Sequence, residues 1–513
     1  MWNNVDRRSR TLEENIKSTK QEKKSNKNKK TKKTLKVVGY VLCAIMLIAI
    51  IVTAAFVIKL NVLPTPLLVI ILLIGLVVTG IFAMCQKWVI PGVITKALAV
   101  ITTLVLVLAC VYMNVTYNAL SKMTGVSTQI SNIHVYVLAD DSAQTLEDTK
   151  DYQFGILQSL DRENTDKVVA DINKELKQDI SISEYDNVLG LVDALYNGET
   201  KAIILNSAYI SFVTDTAGYE DFESRIRSVS SQEIIEEVKT KDKEKEKVTS
   251  YDGDEVIAVY ISGNDCEGVP EVNSNSDVNI ILIANLKTRQ ILLVSTPRDY
   301  YVPLSISNGV NDKLTHAGVY GIDVSVETLE MLYEVEIDDY VKVNFTGFIE
   351  IVDALGGVNV YSEYDFYTED IHYNVGYNQL NGYQALMFAR NRGAFSDGDR
   401  QRGKNQMAVI EAIIKEMATS DMLKNYADVL DAISGSMITS MSYEEISNLV
   451  KFQLNNMQSW EVLKYSVNGY DSANTTYSLG GTAYVMEPDY ATVEQAKEYI
   501  NQMYEGKKIT ISE

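Results

Sequence analysis

The chain has 513 residues, 46% of them hydrophobic and 22% charged, with a formal charge of −21. Residues 1–36 hold 13 Lys/Arg against 4 Asp/Glu, a net of +9, so the remainder nets −30; that acidity excludes a nucleic-acid-binding body, which needs a broad basic face. Four cysteines, three of them in apolar runs, exclude a disulfide scaffold, and neither they nor the three scattered histidines show the spacing of a zinc site.

The first element is a membrane span. Residues 37–58 are 22 consecutive uncharged residues between Lys36 and Lys59. Two further charge-free stretches have apolar cores at 67–85 and 97–113, so region 37–121 reads as three transmembrane helices. Each core reaches or approaches the roughly 20 residues needed to cross the hydrocarbon. A cleaved signal peptide does not fit a run this long, with 36 residues before it and two more spans behind. The basic tail 1–36 belongs on the cytoplasmic side, as a topology signal and a contact for anionic lipid. Lys87 and Lys96, in the 86–96 loop, fit the same side. Three crossings then put residues 114–513 outside, in a multi-pass protein of the cell membrane.

Residues 122–235 read as a small α/β accessory domain. Strands are expected at 132–138, 180–184 and 201–205, an amphipathic helix at 165–176, and a second helix at 185–198 closed by Asn197-Gly198. Nothing there clusters a nucleophile, a base or metal ligands, which marks a scaffold or docking module. Residues 236–250 open on the charge-dense run EEVKTKDKEKEK and read as an exposed linker.

Beyond the linker, residues 251–475 form the main domain and 476–513 a C-terminal extension. Apolar strands are expected at 255–263, 277–286 and 290–296, the last two joined as an antiparallel hairpin by Lys287-Thr288-Arg289. Helices are expected at 344–355, 383–391 and 404–418, the first opened by Asn344 and stopped by Gly356-Gly357. Strands mixed with crossover helices and one hairpin imply an α/β fold with a mixed central sheet.

This domain is acidic, with 17 Lys/Arg against 39 Asp/Glu in residues 251–513. Yet five of those cations, Arg390, Arg392, Arg400, Arg402 and Lys404, fall within 15 residues. Such crowding repels itself unless a bound anion or nearby carboxylates neutralise it. Arginine's planar fork suits phosphate oxygens, so a phosphate site is one reading; a solvated loop with Asp397 and Asp399 as counter-ions is the other. Arg298-Asp299 follows a strand end, where ligand-facing groups collect in α/β sheets. Asp277 opens the preceding strand, as a turn residue unless another carboxylate approaches. Lys313 sits in a polar loop that can reach the same anion, and His316 reads as a packed histidine. No GxSxG, GxGxxG or P-loop pattern is present.

The ordered strings are more specific than any one of them. Ser276-Asp277, Ser295-Thr-Pro-Arg298-Asp299, Asp312-Lys313-Leu-Thr-His316-Ala-Gly318, Asn381-Gly382, Ala389-Arg390-Asn-Arg392, Gly398-Asp399-Arg400-Gln-Arg402 and Asn405-Gln406 together resemble the LytR-CpsA-Psr family. With three spans and an accessory domain ahead of it, the chain is most similar to the capsular-polysaccharide, CpsA-type branch from Gram-positive bacteria. The resemblance implies an extracellular phosphotransferase. It would move an undecaprenyl-pyrophosphate-linked glycopolymer, a capsular polysaccharide or else a teichoic acid, onto a peptidoglycan acceptor, with pyrophosphate hydrolysis as a side reaction. It also implies that Arg298, Arg390, Arg392, Arg402 and Gln406 hold the pyrophosphate, with Lys313 assisting. Asp277 and Asp399 would ligate Mg²⁺, with Mn²⁺ as the other hard cation, so that Asp277, Arg298, Asp399 and Arg402 form the catalytic set. Arg400 stands near enough in sequence to compete with Arg402. The polyprenyl tail would lie in an apolar groove, and capsule biosynthesis proteins would be partners, with no role for nucleic acid. The competing implication is a non-catalytic polyisoprenyl-phosphate-binding regulator of envelope assembly.

Overall fold

The computed structural model describes residues 2–61, 63, 65–124, 128–238, 251, 253–264, 269–395, 398–419, 429 and 434–511. The chain forms two compact units, Met1–Asn118 and Ala119–Glu513.

The first unit is helical: α1 (Trp2–Leu60), α2 (Thr65–Cys85) and α3 (Val89–Met123), the last running on into the second unit. Three stretches within these helices, Lys33–Leu60, Thr65–Cys85 and Val89–Val115, are long and apolar enough to cross a membrane. Their outward faces are rich in Ile, Leu and Val, which in water would be a large exposed apolar surface and in lipid is the expected one. The backbone of the basic tail continues α1 as helix from Trp2.

The second unit opens with β1 (Thr128–Leu138), β2 (Gln153–Leu157), α4 (Arg162–Leu176), β3 (Ser181–Tyr185), α5 (Val188–Tyr196), β4 (Ala202–Asn206), α6 (Tyr209–Thr214), α7 (Phe222–Arg225) and β5 (Ile226–Glu237). These strands make one mixed sheet in the order β3-β2-β4-β1-β5. The strand β5 was not anticipated; it takes in Glu236 and Glu237 of the charged stretch, whose residues 239–250 lie outside the described ones.

Next come β6 (Val256–Asn264), β7 (Ser276–Asn285), β8 (Gln290–Ser295), β9 (Tyr301–Pro303), β10 (Asn311–Lys313), α8 (Ala317–Tyr320), α9 (Ile322–Tyr333), β11 (Asp339–Asn344) and α10 (Phe345–Ala354). They are followed by β12 (Val358–Ser362), β13 (Phe366–Thr368), β14 (Ile371–Tyr373), β15 (Gly376–Leu380), α11 (Gly382–Arg390) and α12 (Asp399–Met417). The last elements are β16 (Met437–Thr439), α13 (Tyr443–Asn456), β17 (Glu461–Ser466), β18 (Gly469–Thr475), β19 (Thr482–Pro488) and α14 (Tyr490–Tyr504).

The central sheet has six strands in the order β16-β11-β6-β7-β8-β17 and is mixed. The pairs β11–β6 and β17–β8 are parallel, while β6–β7 and β7–β8 are antiparallel, so the expected hairpin is present. Both faces are covered, which is why its strands are apolar throughout rather than alternating. On β7 and β8, Ile281, Ile283, Leu292 and Val294 join the core shared with α9 and α14. Ile280, Ile291 and Leu293 face the other way, onto Met407 of α12.

Helix ends follow local chemistry. The side chain of Asn344 accepts from Gly347 N at 2.8 Å and starts α10; Gly356 and Gly357, both at positive φ, end it. A reciprocal cap between Asn381 and Gln384 starts α11. The main correction concerns α12, expected from residue 404 but starting at Asp399. The last six residues of the apparent basic loop, 399–404, are therefore the first turn and a half of a helix. Its anchor, Gln401, Arg402 and Asn405, is buried by tertiary contacts that composition does not reveal.

The two sheets of this unit share a core. Phe212, Val213 and Phe222 from the accessory part cluster with Val319 after β10 and with Leu479 and Ala483 near β19. The ring of Phe212 stacks on His316 with centroids 3.7 Å apart. Residues after 475 contribute β19 and α14, whose Val493, Ala496, Ile500 and Met503 lie in the core of the central sheet.

Candidate functional site

Antiparallel pairing of β7 with β8 brings the start of one strand beside the end of the other. Ile280 pairs with Ser295, so Asp277 and Arg298 share one edge of the sheet although 21 residues separate them. Arg298 Nη1 donates to Asp277 Oδ1 at 2.8 Å. Its Nη2 lies 3.1 Å from Asp215 Oδ2, and its Nε 3.5 Å from Asp299 Oδ2. Lys313 joins at one remove, its Nζ 3.2 Å from Asp299 Oδ1. Thr315 Oγ1 stands 3.4 Å from Asp277 Oδ1.

The loop that carries Asp277 is held from below. Ser276 Oγ meets Ser262 Oγ at 2.8 Å and the Tyr260 hydroxyl at 2.9 Å, and that hydroxyl donates to Asn279 at 2.7 Å. Gly318 in α8 lies against the same loop. A Cβ there would stand 2.6 Å from the Ser274 carbonyl oxygen and 2.9 Å from Ser276 N, so only glycine permits this approach.

The second half of the site is the start of α12. Asp399 and Arg402 are three residues apart on the helix and therefore on one face. Arg402 Nη2 stands 2.7 Å from Asp399 Oδ1, and its Nη1 3.8 Å from Asp277 Oδ2. Arg392, in the loop after α11, spans the same pair, with Nε 3.5 Å from Asp399 and Nη2 3.9 Å from Asp277. Arg390 ends α11 with its guanidinium 4.1 Å above the Phe345 ring. Gln406 lies one turn beyond Arg402 and lines the same cavity as Arg298, Arg390 and Arg392. Arg400 borders the same small cleft as Asp399 and Arg402, but among the described residues it pairs with neither carboxylate, its Nη2 donating to the Gly469 carbonyl instead. Of the two candidate arginines, Arg402 is the one set between the carboxylates. His316 is buried, as expected, with Nδ1 2.6 Å from Asp312 Oδ1.

Charge here is dense and largely desolvated. Burial works against the Arg298 cation, but Asp277, Asp299 and Asp215 outweigh it and hold its pKa above the ordinary range. Burial pushes the Asp399 carboxyl up to about 6, in spite of Arg392. Its Oδ1 is buried and, among the described residues, accepts no aligned hydrogen bond, close as Arg402 is. Among the described residues, no three His, Cys, Asp or Glu side chains group as metal ligands. Asp277 and Asp399 nevertheless flank the same two guanidiniums and carry hard oxygens, and one of these lacks a donor. That set suits a cation which takes one or two carboxylates and completes its shell with phosphate and water.

Behind the arginines opens a cavity of about 1040 Å³. Its walls are apolar side chains of β6, β7 and β11 on one side and of α10–α13 on the other, among them Val278, Val343, Phe348, Ile410 and Ile414. The sequence signalled α10 only as an apolar stripe. The structure divides that stripe: Phe348 and Ile351 line the cavity, while Val352 and Leu355 are packed in the core.

Sequence reasoning missed the contribution of the accessory sheet. Asp215, just past α6, follows no motif and lies 83 residues from Arg298, so nothing local could have pointed to it. Asp299 was read only as the neighbour of Arg298; it is the link from Arg298 to Lys313.

Fold and site define an α/β protein with a cluster of arginines and aspartates beside a mostly apolar cavity, in a chain that also carries helices apolar enough to span a bilayer. The chain belongs to the LytR_cpsA_psr family, whose sequence model matches residues 225–498. A second model, DNA polymerase processivity factor, matches residues 92–205, well under half of the chain, and begins inside α3. The chain is 34% identical over 238 residues to the polyisoprenyl-teichoic acid–peptidoglycan teichoic acid transferase TagU of Bacillus mycoides, covering 46% of this chain and 75% of that protein. The transferase of the same name from Bacillus cereus is 34% identical over 221 residues, 43% of this chain and 72% of its own. Among solved structures, B. subtilis TagV aligns over 50% of this chain and 99% of its own at 25% identity, with a TM-score of 0.42.

Proposed function

We propose that this protein is a membrane-anchored phosphotransferase that moves a glycopolymer from an undecaprenyl-pyrophosphate carrier to a peptidoglycan hydroxyl on the outer face of the membrane. The observation that carries the reading is the junction of a charged and an apolar site. Arg298, Arg390, Arg392 and Arg402 line one part of a cavity whose other walls are mostly apolar, with a few Ser and Asn side chains among them. A diphosphate attached to an isoprenoid has the same two-part chemistry, and the TagU relatives are named for polyisoprenyl-linked teichoic acid and peptidoglycan. The polymer is a teichoic acid or a capsular polysaccharide.

The chemistry is a displacement at phosphorus. The acceptor hydroxyl oxygen forms a bond to the phosphorus that bears the glycan, and the bond from that phosphorus to the bridging oxygen breaks. Undecaprenyl phosphate leaves, the glycan becomes a phosphodiester on the wall, and the hydroxyl proton passes to solvent. Such transfer needs charge neutralisation and positioning more than covalent help from the protein. Arg298 and Arg402 fit bidentate binding of the phosphate oxygens, and their carboxylate neighbours fix the planes of the guanidiniums beforehand. Arg392 and Arg390 extend the positive rim, Gln406 adds a neutral amide, and Lys313 holds Asp299 in place. Asp277 and Asp399 would hold Mg²⁺, or Mn²⁺ in its place; when bound, the ion would offset charge on the diphosphate. The apolar cavity takes the isoprenoid and keeps water from the carrier side. Three spans at the head of the chain tether the domain to the bilayer that contains the carrier.

The test is turnover of a short polyprenyl diphosphate by the full chain in detergent, with Mg²⁺ and with chelator. Release of polyprenyl phosphate that needs the cation supports transferase chemistry, and water replaces the acceptor when none is supplied. Tight binding without turnover, even with wall fragments present, would instead favour a carrier-binding regulator.

A further inference from the structure

The segment from β12 to α11 carries an outer surface unlike the rest of the unit. No Lys or Arg occurs between Lys342 and Arg390. On the solvent face of the β12–β15 pair, Tyr361 stands opposite Tyr377 and Asn359 opposite Gln379. The two rings are 47% and 67% exposed, with centroids 5.3 Å apart. The β13–β14 hairpin repeats the theme. Exposed Tyr367 stacks on His372 with centroids 4.3 Å apart, and Asp365 lies 3.1 Å from the imidazole Nε2. At the start of α11, the Tyr383 hydroxyl donates to Glu369 at 2.9 Å.

A cross-strand ring pair steadies a hairpin. Here, however, the rings carry hydroxyl tips and lie among carboxamides and carboxylates, with Glu363, Asp365, Glu369 and Asp370 all exposed. Those carboxylates decide between partners. An anionic membrane surface, a nucleic acid or a phosphate-rich polymer would be repelled, since no cation of this segment offsets them. A neutral glycan fits each part: its C–H faces cover tyrosine rings, and its hydroxyls donate to solvent-facing carboxylate and amide oxygens. Position adds to the chemistry. The helix α11 starts beside this surface and ends at Arg390, about 13 Å away at 1.5 Å per residue.

We propose that the solvent face of β12–β15, with Tyr361 and Tyr377 at its centre, docks the neutral N-acetylhexosamine backbone of the wall acceptor and holds it a short helix away from the arginines. Naming that glycan as the acceptor rests on the transferase reading above; the glycan-binding face itself does not.

The experiment titrates the full chain in detergent with a soluble chito-oligosaccharide, beside an assay of polyprenyl diphosphate hydrolysis without acceptor. Wild type should bind the oligosaccharide. Tyr361→Ala and Tyr377→Ala should each weaken that binding about tenfold, the scale for truncating a central aromatic contact. Tyr377→Trp, which keeps a ring, should retain most of the affinity, and hydrolysis should be unchanged in all three variants. No oligosaccharide binding by wild type, or unchanged binding in both alanine variants, would overturn the proposal. So would a loss that Tyr377→Trp fails to restore, which would make the pair structural. Binding to vesicles of anionic lipid that the same alanine variants abolish would overturn it too, by making the face a membrane contact. Oligosaccharide binding without hydrolysis would support the glycan face and remove the transferase reading alone.

Discussion

Arg402 joins two carboxylates that belong to different parts of the fold: its Nη2 lies 2.7 Å from Asp399, one turn back on α12, and its Nη1 3.8 Å from Asp277 at the head of β7. The contact is where helix and sheet halves of the site meet. Arg402→Ala should lower turnover by about 10²–10³-fold, the range for loss of one preorganised group that stabilises transition-state charge. Arg402→Lys should recover only part of it, because an ammonium cannot bridge both carboxylates. Arg400→Ala should stay within about threefold of wild type. Full turnover in Arg402→Ala, measured as released polyprenyl phosphate, would transfer the role to Arg400, and equal losses in the two alanine variants would divide it between them.

Asp277 and Asp399 are expected to matter through the cation. Isothermal titration of the full chain with Mg²⁺, in the presence of polyprenyl diphosphate, should show binding that Asp277→Asn and Asp399→Asn each weaken by at least tenfold. Retained Mg²⁺ affinity in both would locate the ion elsewhere or on the lipid alone.

The cavity makes lipid length a variable. Each buried CH₂ contributes about 0.8 kcal/mol, so affinity should climb with every isoprene unit until the apolar walls are covered, then level off. Ile410→Trp, which fills part of the cavity, should move that plateau to shorter chains and spare diphosphates with one or two units. A length series showing no plateau shift would place the tail outside the cavity.

Gly318 links packing to geometry. Its replacement by alanine puts a Cβ against the backbone that carries Asp277, and overpacking of this kind costs about 1–3 kcal/mol. Gly318→Ala should lower the melting temperature and reduce turnover together. Normal turnover in the variant would show that the loop yields without moving Asp277.

One pH effect is far from the arginines. Asp161 accepts from Asn164 and Asn206 at 2.9 Å each, yet burial raises its carboxyl from 3.8 to about 6, with Glu236 adding to the shift. The folded state therefore holds the proton more tightly than the unfolded one. Its contribution is complete below about pH 4 and lost as pH rises through 6, on the order of 3 kcal/mol by neutrality. Asp161→Asn, which keeps a residue tolerant of the left-handed backbone there, should gain melting temperature relative to wild type between pH 4 and 7. A difference that stays flat with pH would discount the shift.

Local chemistry in the chain was enough for its main elements. Uncharged runs, the β7–β8 hairpin, the Asn344 and Asn381 caps and the clustering of arginines are short-range patterns, and each reflects a solvation or steric rule acting within about twenty residues. The hairpin alone implies that Asp277 and Arg298 share a sheet edge. What needed tertiary structure was every relation set by packing between distant segments. The helical start of α12, the choice of Arg402 over Arg400, the hollow between α10–α13 and the sheet, and the arrival of Asp215 beside Arg298 all depend on which surfaces are buried together. Burial is a property of the assembled chain; an Asp after a short helix or an apolar stripe reads the same whether it faces a core, a cavity or water.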